Sequence, residues 1–250
     1  MKRLLLACLL LAGCVSVPSN PAFFAHRGDD IDHVEHTFSS YDAAIAKGAH
    51  YIEQDLVLSK DGTLYVSHDM DAKRLTGDPA KYADMTDEQI NRLRTANGEP
   101  IHTLKQVFER YGDEVWYVPE LRDEPGQLEK FIKLVKEAHV EDRVITQVWS
   151  LAYAKGLKDA FPNMPVQYFV NSPLDLMEGA NSRYVDILCF NRKMMTPVIV
   201  NVCHQARKQA CFWTLDTADE IKKAQNIGAD IYFTDDTALG VEMEKTEAEP

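Results

Sequence analysis

The chemistry-bearing residues of this chain are two histidines, an arginine and several carboxylates, set where short extended runs give way to loops. His26-Arg27-Gly28 closes the first run and Glu53-Gln54-Asp55 lies in the second. His68-Asp69 ends a third, and Glu120 sits in Val118-Pro119-Glu120-Leu121-Arg122. Side chains two apart on a strand share a face, which groups Phe24 with His26, Glu53 with Asp55 and Glu120 with Arg122. Three carboxylates gathered at one point repel one another, and any anionic substrate, unless a divalent cation offsets them. Glu53, Asp55 and Glu120 are therefore the expected metal ligands, and hard oxygen donors favour Ca2+ or Mg2+. Two imidazoles beside such an ion suit cleavage of a phosphodiester: one accepts a proton while the other donates one to the leaving alcohol, so the two hold opposite protonation states near neutral pH. His26 and His68 are the expected pair, with the order of action open. Arg27 offers a rigid donor fork to the phosphate, or alternatively a salt bridge to Glu35. The alternative for the carboxylates is a solvated strand edge with Glu120 paired to Arg122.

Such residues need a frame that brings strand ends together. Extended runs are expected at Ala22 to His26, Tyr51 to Leu58, Val115 to Leu121, Val144 to Trp149, Val166 to Val170, Val185 to Phe190, Phe212 to Leu215 and Ile231 to Thr234. Amphipathic candidates between them include Phe38 to Lys47, Thr103 to Tyr111, Gln127 to His139, Ala152 to Ala160 and Ala218 to Ile227. Eight βα units in this length predict a TIM (β/α)8 barrel over residues 21–240, whose sites lie at the C-terminal strand ends. A doubly wound open sheet is the alternative. Leu64 to His68 is a further run joined to the second strand through Lys60-Asp61-Gly62, a turn signal that predicts a hairpin arm. A polar, turn-rich insertion follows at about residues 70–100, and residues 241–250 read as a charged, disordered tail.

At 250 residues with 45% hydrophobic content, the chain can bury one sizeable core. A formal charge of −12 provides no basic stripe to follow a nucleic-acid backbone, whereas one small anion needs only a local positive site. The sequence has no Gly-x-Ser-x-Gly elbow, no phosphate loop before Lys-Ser/Thr and no His-Glu-x-x-His. His33, Glu35 and His36 crowd together, but their spacing is not diagnostic of zinc and reads as a turn and helix start.

The ordered set His26-Arg27-Gly28, Glu35-His36-Thr37, Gly48-Ala49, Glu53-Gln54-Asp55, Lys60-Asp61-Gly62 and His68-Asp69 resembles the signature of bacterial glycerophosphodiester phosphodiesterases. Glu120, Trp213-Thr214 and Gly228-Ala229-Asp230 extend the likeness over most of the chain. The resemblance implies a metal carboxylate at Glu120, an aromatic near the site at Trp213, and an insertion that caps the barrel mouth. It also implies a reaction in which the substrate's own glycerol hydroxyl attacks phosphorus and water then opens the cyclic phosphate. Two positions depart from the pattern: His36 stands where asparagine is usual and Arg122 where lysine is usual. Arg122 keeps the positive charge without the compact ammonium, which puts the details of substrate contact in doubt. Trp213 either meets a choline headgroup by cation–π attraction or packs in the core.

At the N-terminus, Lys2-Arg3, an apolar stretch from Leu4 to Leu11 too short to span a bilayer, and Ala12-Gly13 read as an export signal over residues 1–13. Leu11-Ala12-Gly13-Cys14 resembles a bacterial lipobox. It implies cleavage before Cys14, acylation there, a linker over 14–20 and stable anchoring to the cell envelope. Val15 in place of aspartate favours the outer membrane and periplasm if the source has two membranes. A plain secretory signal with an incidental cysteine is the alternative. Of five cysteines, Cys8 would leave with the signal, Cys203 and Cys211 could bridge, and Cys189 reads as a small buried hydrophobe.

The expected function is metal-dependent hydrolysis of glycerophosphodiesters to glycerol 3-phosphate and an alcohol. A lysophospholipase D-type activity on membrane lysolipids is one alternative, and a noncatalytic surface-binding lipoprotein on the same fold is another.

Overall fold

The computed structural model describes residues 22–247, so the expected signal, Cys14 and the 14–20 linker lie outside it, as do residues 248–250. The strands are β1 (Ala22–Ala25), β2 (Tyr51–Leu58), β3 (Leu64–Val66), β4 (Trp116–Glu120), β5 (Thr146–Val148), β6 (Val166–Val170), β7 (Ile187–Asn191), β8 (Gln209–Trp213) and β9 (Ile231–Thr234). All but β3 pair in parallel, in the order β1-β9-β8-β7-β6-β5-β4-β2, and β1 also pairs with β2. The sheet is thus a closed eight-stranded barrel, a TIM barrel rather than an open sheet. The far half of β2 leaves it to pair antiparallel with β3, Leu56 opposite Val66 and Leu58 opposite Leu64, which is the predicted hairpin arm.

Alternation along each strand separates two apolar layers. Phe24, Val118, Ile145, Phe169, Ile187, Cys189, Cys211, Ile231 and Phe233 cluster within the barrel. Their strand neighbours Phe23, Ala25, Tyr117, Leu188, Phe190 and Phe212 pack outward with the helices. Fully burying each such large side chain contributes roughly 1.5–3 kcal/mol. Because the inward set continues to the C-terminal strand ends, the same period that fills the barrel places His26, Asp55, Glu120 and Trp213 at its mouth.

The surrounding helices are α1 (Phe38–Lys47), then α2 (Lys73–Thr76) and α3 (Asp87–Ile90) in the insertion, α4 (Leu104–Tyr111), α5 (Gln127–Ala138), α6 (Leu151–Ala160), α7 (Pro173–Asn181), α8 (Pro197–Gln205), α9 (Ala218–Asn226) and α10 (Thr237–Glu247). Hydroxyls begin many of them: Thr37, Ser150, Ser172, Thr196 and Thr217 each accept the backbone N–H three residues on, satisfying a donor the first turn leaves unpaired. The insertion is not merely polar; Leu75, Tyr82, Met85 and Ile90 form a small core with Val57 and Tyr65 of the hairpin.

Two expectations change. The charged tail is helical through Glu247, because Met243 is buried against the outer core and Glu244 Oε1 accepts the Phe23 N–H at 3.2 Å. Cys203 and Cys211 do not bridge: Cys203 packs in the outer layer, Cys211 lies inside beside Cys189 on the neighbouring strand, and all three are free thiols. Cys189 is the buried small residue that was expected.

Candidate active site

A cavity of about 560 Å³ opens at the C-terminal end of the barrel, and every residue singled out for chemistry lines it: His26, Arg27, Glu53, Asp55, His68, Glu120, Arg122 and Trp213. Gln147, Trp149, Phe169, Thr214 and Phe233 complete the wall. Glu53 and Glu120 arrive through the pairing of β2 with β4, which sets Asp55 opposite Glu120. His26 follows directly on β1, and His68 comes from the hairpin arm. Arg27 and Gly28 both turn with positive φ, which folds the chain back so that the Arg27 N–H donates to Glu53 Oε2 at 2.9 Å.

The two arginines neutralise the carboxylates. Arg122 Nη2 meets Asp55 Oδ1 at 2.5 Å, its Nε lies 2.8 Å from Glu120 Oε1, and its Nη1 donates to the His68 carbonyl at 2.6 Å. Arg27 lines the cavity with Nε 3.4 Å from Asp55 Oδ2, and it makes the salt bridge to Glu35 that was its alternative role, at 2.9 Å. Neutralisation is incomplete. Burial, with the charges of Asp55 and Glu120 beside it, pushes the Glu53 carboxyl well above its usual range. Burial and Asp55 likewise push Glu120 up to about 7. Asp55 resists its burial because His36, Arg122 and Arg27 hold it ionised, well below the usual carboxylate value.

This excess of buried negative charge is what a divalent cation would relieve, and the donor set suits one. His36, Glu53 and Asp55 present ligand atoms within 4.8 Å of one another. Glu120, the third expected ligand, stands outside that tight trio because Arg122 and the Trp149 indole N–H, at 3.1 Å, hold it. His36 was expected as a departure from a family pattern and, with His33 and Glu35, as part of a turn and helix start rather than a metal ligand; the structure instead places it with Glu53 and Asp55 in the group that could hold an ion. It is fully buried, with Nε2 3.0 Å from Asp55 Oδ2 and Nδ1 2.9 Å from the Tyr41 hydroxyl. Burial lowers its pKa, against the pull of the Asp55 and Glu35 carboxylates.

Each cavity histidine donates Nδ1–H to a carboxylate: His26 to Asp235 at 2.5 Å and His68 to Asp69 at 2.8 Å. That fixes the ring and leaves Nε2 for proton transfer. Asp235 escaped the sequence reading, although it follows the last strand just as His26 follows the first. The opposite wall is aromatic, with Trp149 stacked on Phe169 at 4.2 Å and Trp213 edge-on to Phe169 at 6.2 Å. Trp149 and Phe169 were also missed, since aromatics in predicted strands read as core.

A model of the glycerophosphoryl diester phosphodiesterase family matches residues 26–239. The chain is 30% identical over 228 residues to the glycerophosphodiester phosphodiesterase of Caldanaerobacter subterraneus subsp. tengcongensis, across 85% of this chain and 93% of that protein. The glycerophosphodiester phosphodiesterase of Thermotoga maritima superposes with a TM-score of 0.77 at 25% identity, covering 91% of this chain and 100% of that one. An Oleispira antarctica phosphodiesterase, solved with its product sn-glycerol-3-phosphate, has the same fold, with a TM-score of 0.81 at 20% identity over 90% of this chain and 97% of the other. A family match running through nearly the whole barrel, and a relative aligned along most of both chains, establish that this chain belongs to the glycerophosphoryl diester phosphodiesterase family.

Proposed function

We propose that this chain, by its family a phosphoric diester hydrolase, hydrolyses glycerophosphodiesters to glycerol 3-phosphate and an alcohol, with one divalent cation and with His26 and His68 as its acid/base pair. The observation that carries the reading is the convergence of both histidines, both arginines, all three carboxylates and Trp213 on one cavity at the barrel mouth. A noncatalytic scaffold has no need of paired imidazoles whose Nδ1 atoms are each pinned by a carboxylate.

Arg27 and Arg122 receive the phosphate and offset its charge as it grows in the transition state. One histidine takes the proton of the adjacent glycerol hydroxyl as that oxygen bonds to phosphorus; the other protonates the departing alkoxide. Water then opens the cyclic phosphate with the proton roles reversed. Glu53, Asp55 and Glu120, with His36 as an available nitrogen donor, would hold Ca2+ or Mg2+, whose charge polarises a phosphate oxygen. Trp149, Phe169 and Trp213 provide an apolar wall for the leaving group, with faces suited to a quaternary ammonium. The same reading places the enzyme on the bacterial envelope through acylated Cys14; incorporation of labelled palmitate that disappears in Cys14→Ala checks it.

The direct test incubates the protein with glycerophosphocholine, glycerophosphoethanolamine and a lysophospholipid, each with Ca2+, with Mg2+ and with chelator. Glycerol 3-phosphate from the first two, abolished by chelator, is the expected result. Cleavage of the lysolipid alone transfers the assignment to the lysophospholipase D-type reading, and no product from any of the three favours the scaffold.

A further inference from the structure

Arg74 lies on α2, in the insertion, and does not line the cavity. Its guanidinium nevertheless makes three contacts that lead there. Nη1 and Nη2 grip the two oxygens of Glu35 at 2.6 and 2.7 Å, and Nε donates to Asp69 Oδ2 at 2.6 Å. Glu35 is only 4% exposed, and its other cationic contact is Arg27, at 2.9 Å. Asp69, through its second oxygen, holds His68 Nδ1 at 2.8 Å. One planar fork thus spans the carboxylate that restrains a phosphate-facing arginine and the carboxylate that orients a proposed acid/base histidine. Arg74 itself is 45% exposed, so neither core packing nor its own burial explains a three-donor arrangement of this kind.

We propose that Arg74 is a positioning residue, through which the insertion sets His68 by way of Asp69 and Arg27 by way of Glu35. The proposal rests on the phosphodiesterase reading for its kinetic consequence, but not for its geometry. With Arg74 removed, buried Glu35 keeps only Arg27 as its guanidinium partner and draws it away from the phosphate. Asp69, no longer tethered, lets the His68 ring turn. Lysine retains the charge at residue 74 but not the fork that engages both carboxylates at once.

The test compares the parent with Arg74→Ala and Arg74→Lys, each first shown folded by circular dichroism and melting. For glycerophosphocholine, kcat is expected to fall about 10- to 100-fold in Arg74→Ala, the range typical of residues that orient catalytic or metal-bound groups, with a rise in KM from the Arg27 arm. Arg74→Lys recovers part of kcat, and added guanidinium ion raises the rate of Arg74→Ala but not of the parent. A second measurement is independent of turnover: the hydrogen-bonded His68 Nδ1 proton, assigned by nuclear magnetic resonance with His68→Gln, should lose its downfield position in Arg74→Ala. An unmoved His68 signal together with kcat and KM within twofold of the parent overturns the proposal. If the parent cleaves no diester, the function assignment fails while the His68 signal still decides whether Arg74 positions that ring.

Discussion

At the scale of single residues, the site works by pairing each reactive group with one that fixes it. His26 sits on Asp235 and His68 on Asp69, while Arg122 reaches Asp55, Glu120 and a backbone carbonyl with different nitrogens. On the proposed mechanism, removing either imidazole would disrupt proton transfer rather than folding, since both rings line the cavity. His26→Ala and His68→Ala should each lower kcat by about 10²- to 10⁴-fold with little change in melting temperature, as steady-state kinetics beside a melting scan would show. Trp213 makes a different contribution. If its ring faces a choline headgroup, Trp213→Ala forfeits about 0.5–2 kcal/mol of cation–π attraction, which is roughly a 2- to 30-fold loss of kcat/KM for glycerophosphocholine. Glycerophosphoglycerol, with no cation, should be nearly unaffected; equal losses on both substrates would reduce Trp213 to packing.

At the scale of elements, the strands were legible because period-two alternation continues unbroken from Phe24 to His26 and from Val118 to Glu120, so one pattern reports both core and mouth. The hairpin was legible from Lys60-Asp61-Gly62. Helices α7 and α8 were not. Each opens on a proline, which reads as a turn, and α8 is rich in β-branched residues that read as strand. Gly179 in α7 also reads as a breaker, yet it is there for close packing: a Cβ would come within 2.6 Å of Leu188 and 2.8 Å of Tyr168. Asp235 and His36 stayed hidden for another reason, since their roles depend on contacts between elements 209 and 19 residues apart. The turn from β1 into α1 carries its own test. Gly28 has φ +93°, and a Cβ there would lie 2.4 Å from Ser40 Oγ and 2.9 Å from the Ser40 carbonyl carbon. Gly28→Ala should cost at least about 1 kcal/mol of stability from the backbone alone, before the collision with α1 is counted. It should also impair turnover, because Arg27 precedes it. Chemical denaturation that leaves the variant as stable as the parent would remove this turn from the reasons α1 sits where it does.

For the whole molecule, the decisive quantity is the negative charge closed into the barrel mouth. Glu53 and Glu120 have carboxyl pKa values raised in the folded state, Glu120 to about 7, whereas the unfolded chain returns them to the ordinary carboxylate range. The folded protein therefore binds those protons more tightly than the unfolded chain. Their contribution is favourable at low pH and is lost as pH climbs from the ordinary carboxylate range through the folded-state values. Asp55 works in the opposite sense, its lowered value favouring the folded state above the ordinary range. A divalent cation held as proposed would compete with the protons on Glu53 and Glu120, so its affinity should grow with pH over the interval in which they ionise. Ca2+ or Mg2+ at about 100 times its dissociation constant would add about 2.7 kcal/mol, or roughly 5–10 °C in melting temperature for a domain of this size. The increment should be largest near about pH 8, shrink severalfold near about pH 5 as the carboxyls take up protons, and vanish with chelator at either pH. Melting scans with and without cation across that range measure it directly. A shift of the same size at the acidic end would mean that the ion binds elsewhere on this acidic surface, and that the buried carboxylates are neutralised by Arg27 and Arg122 alone.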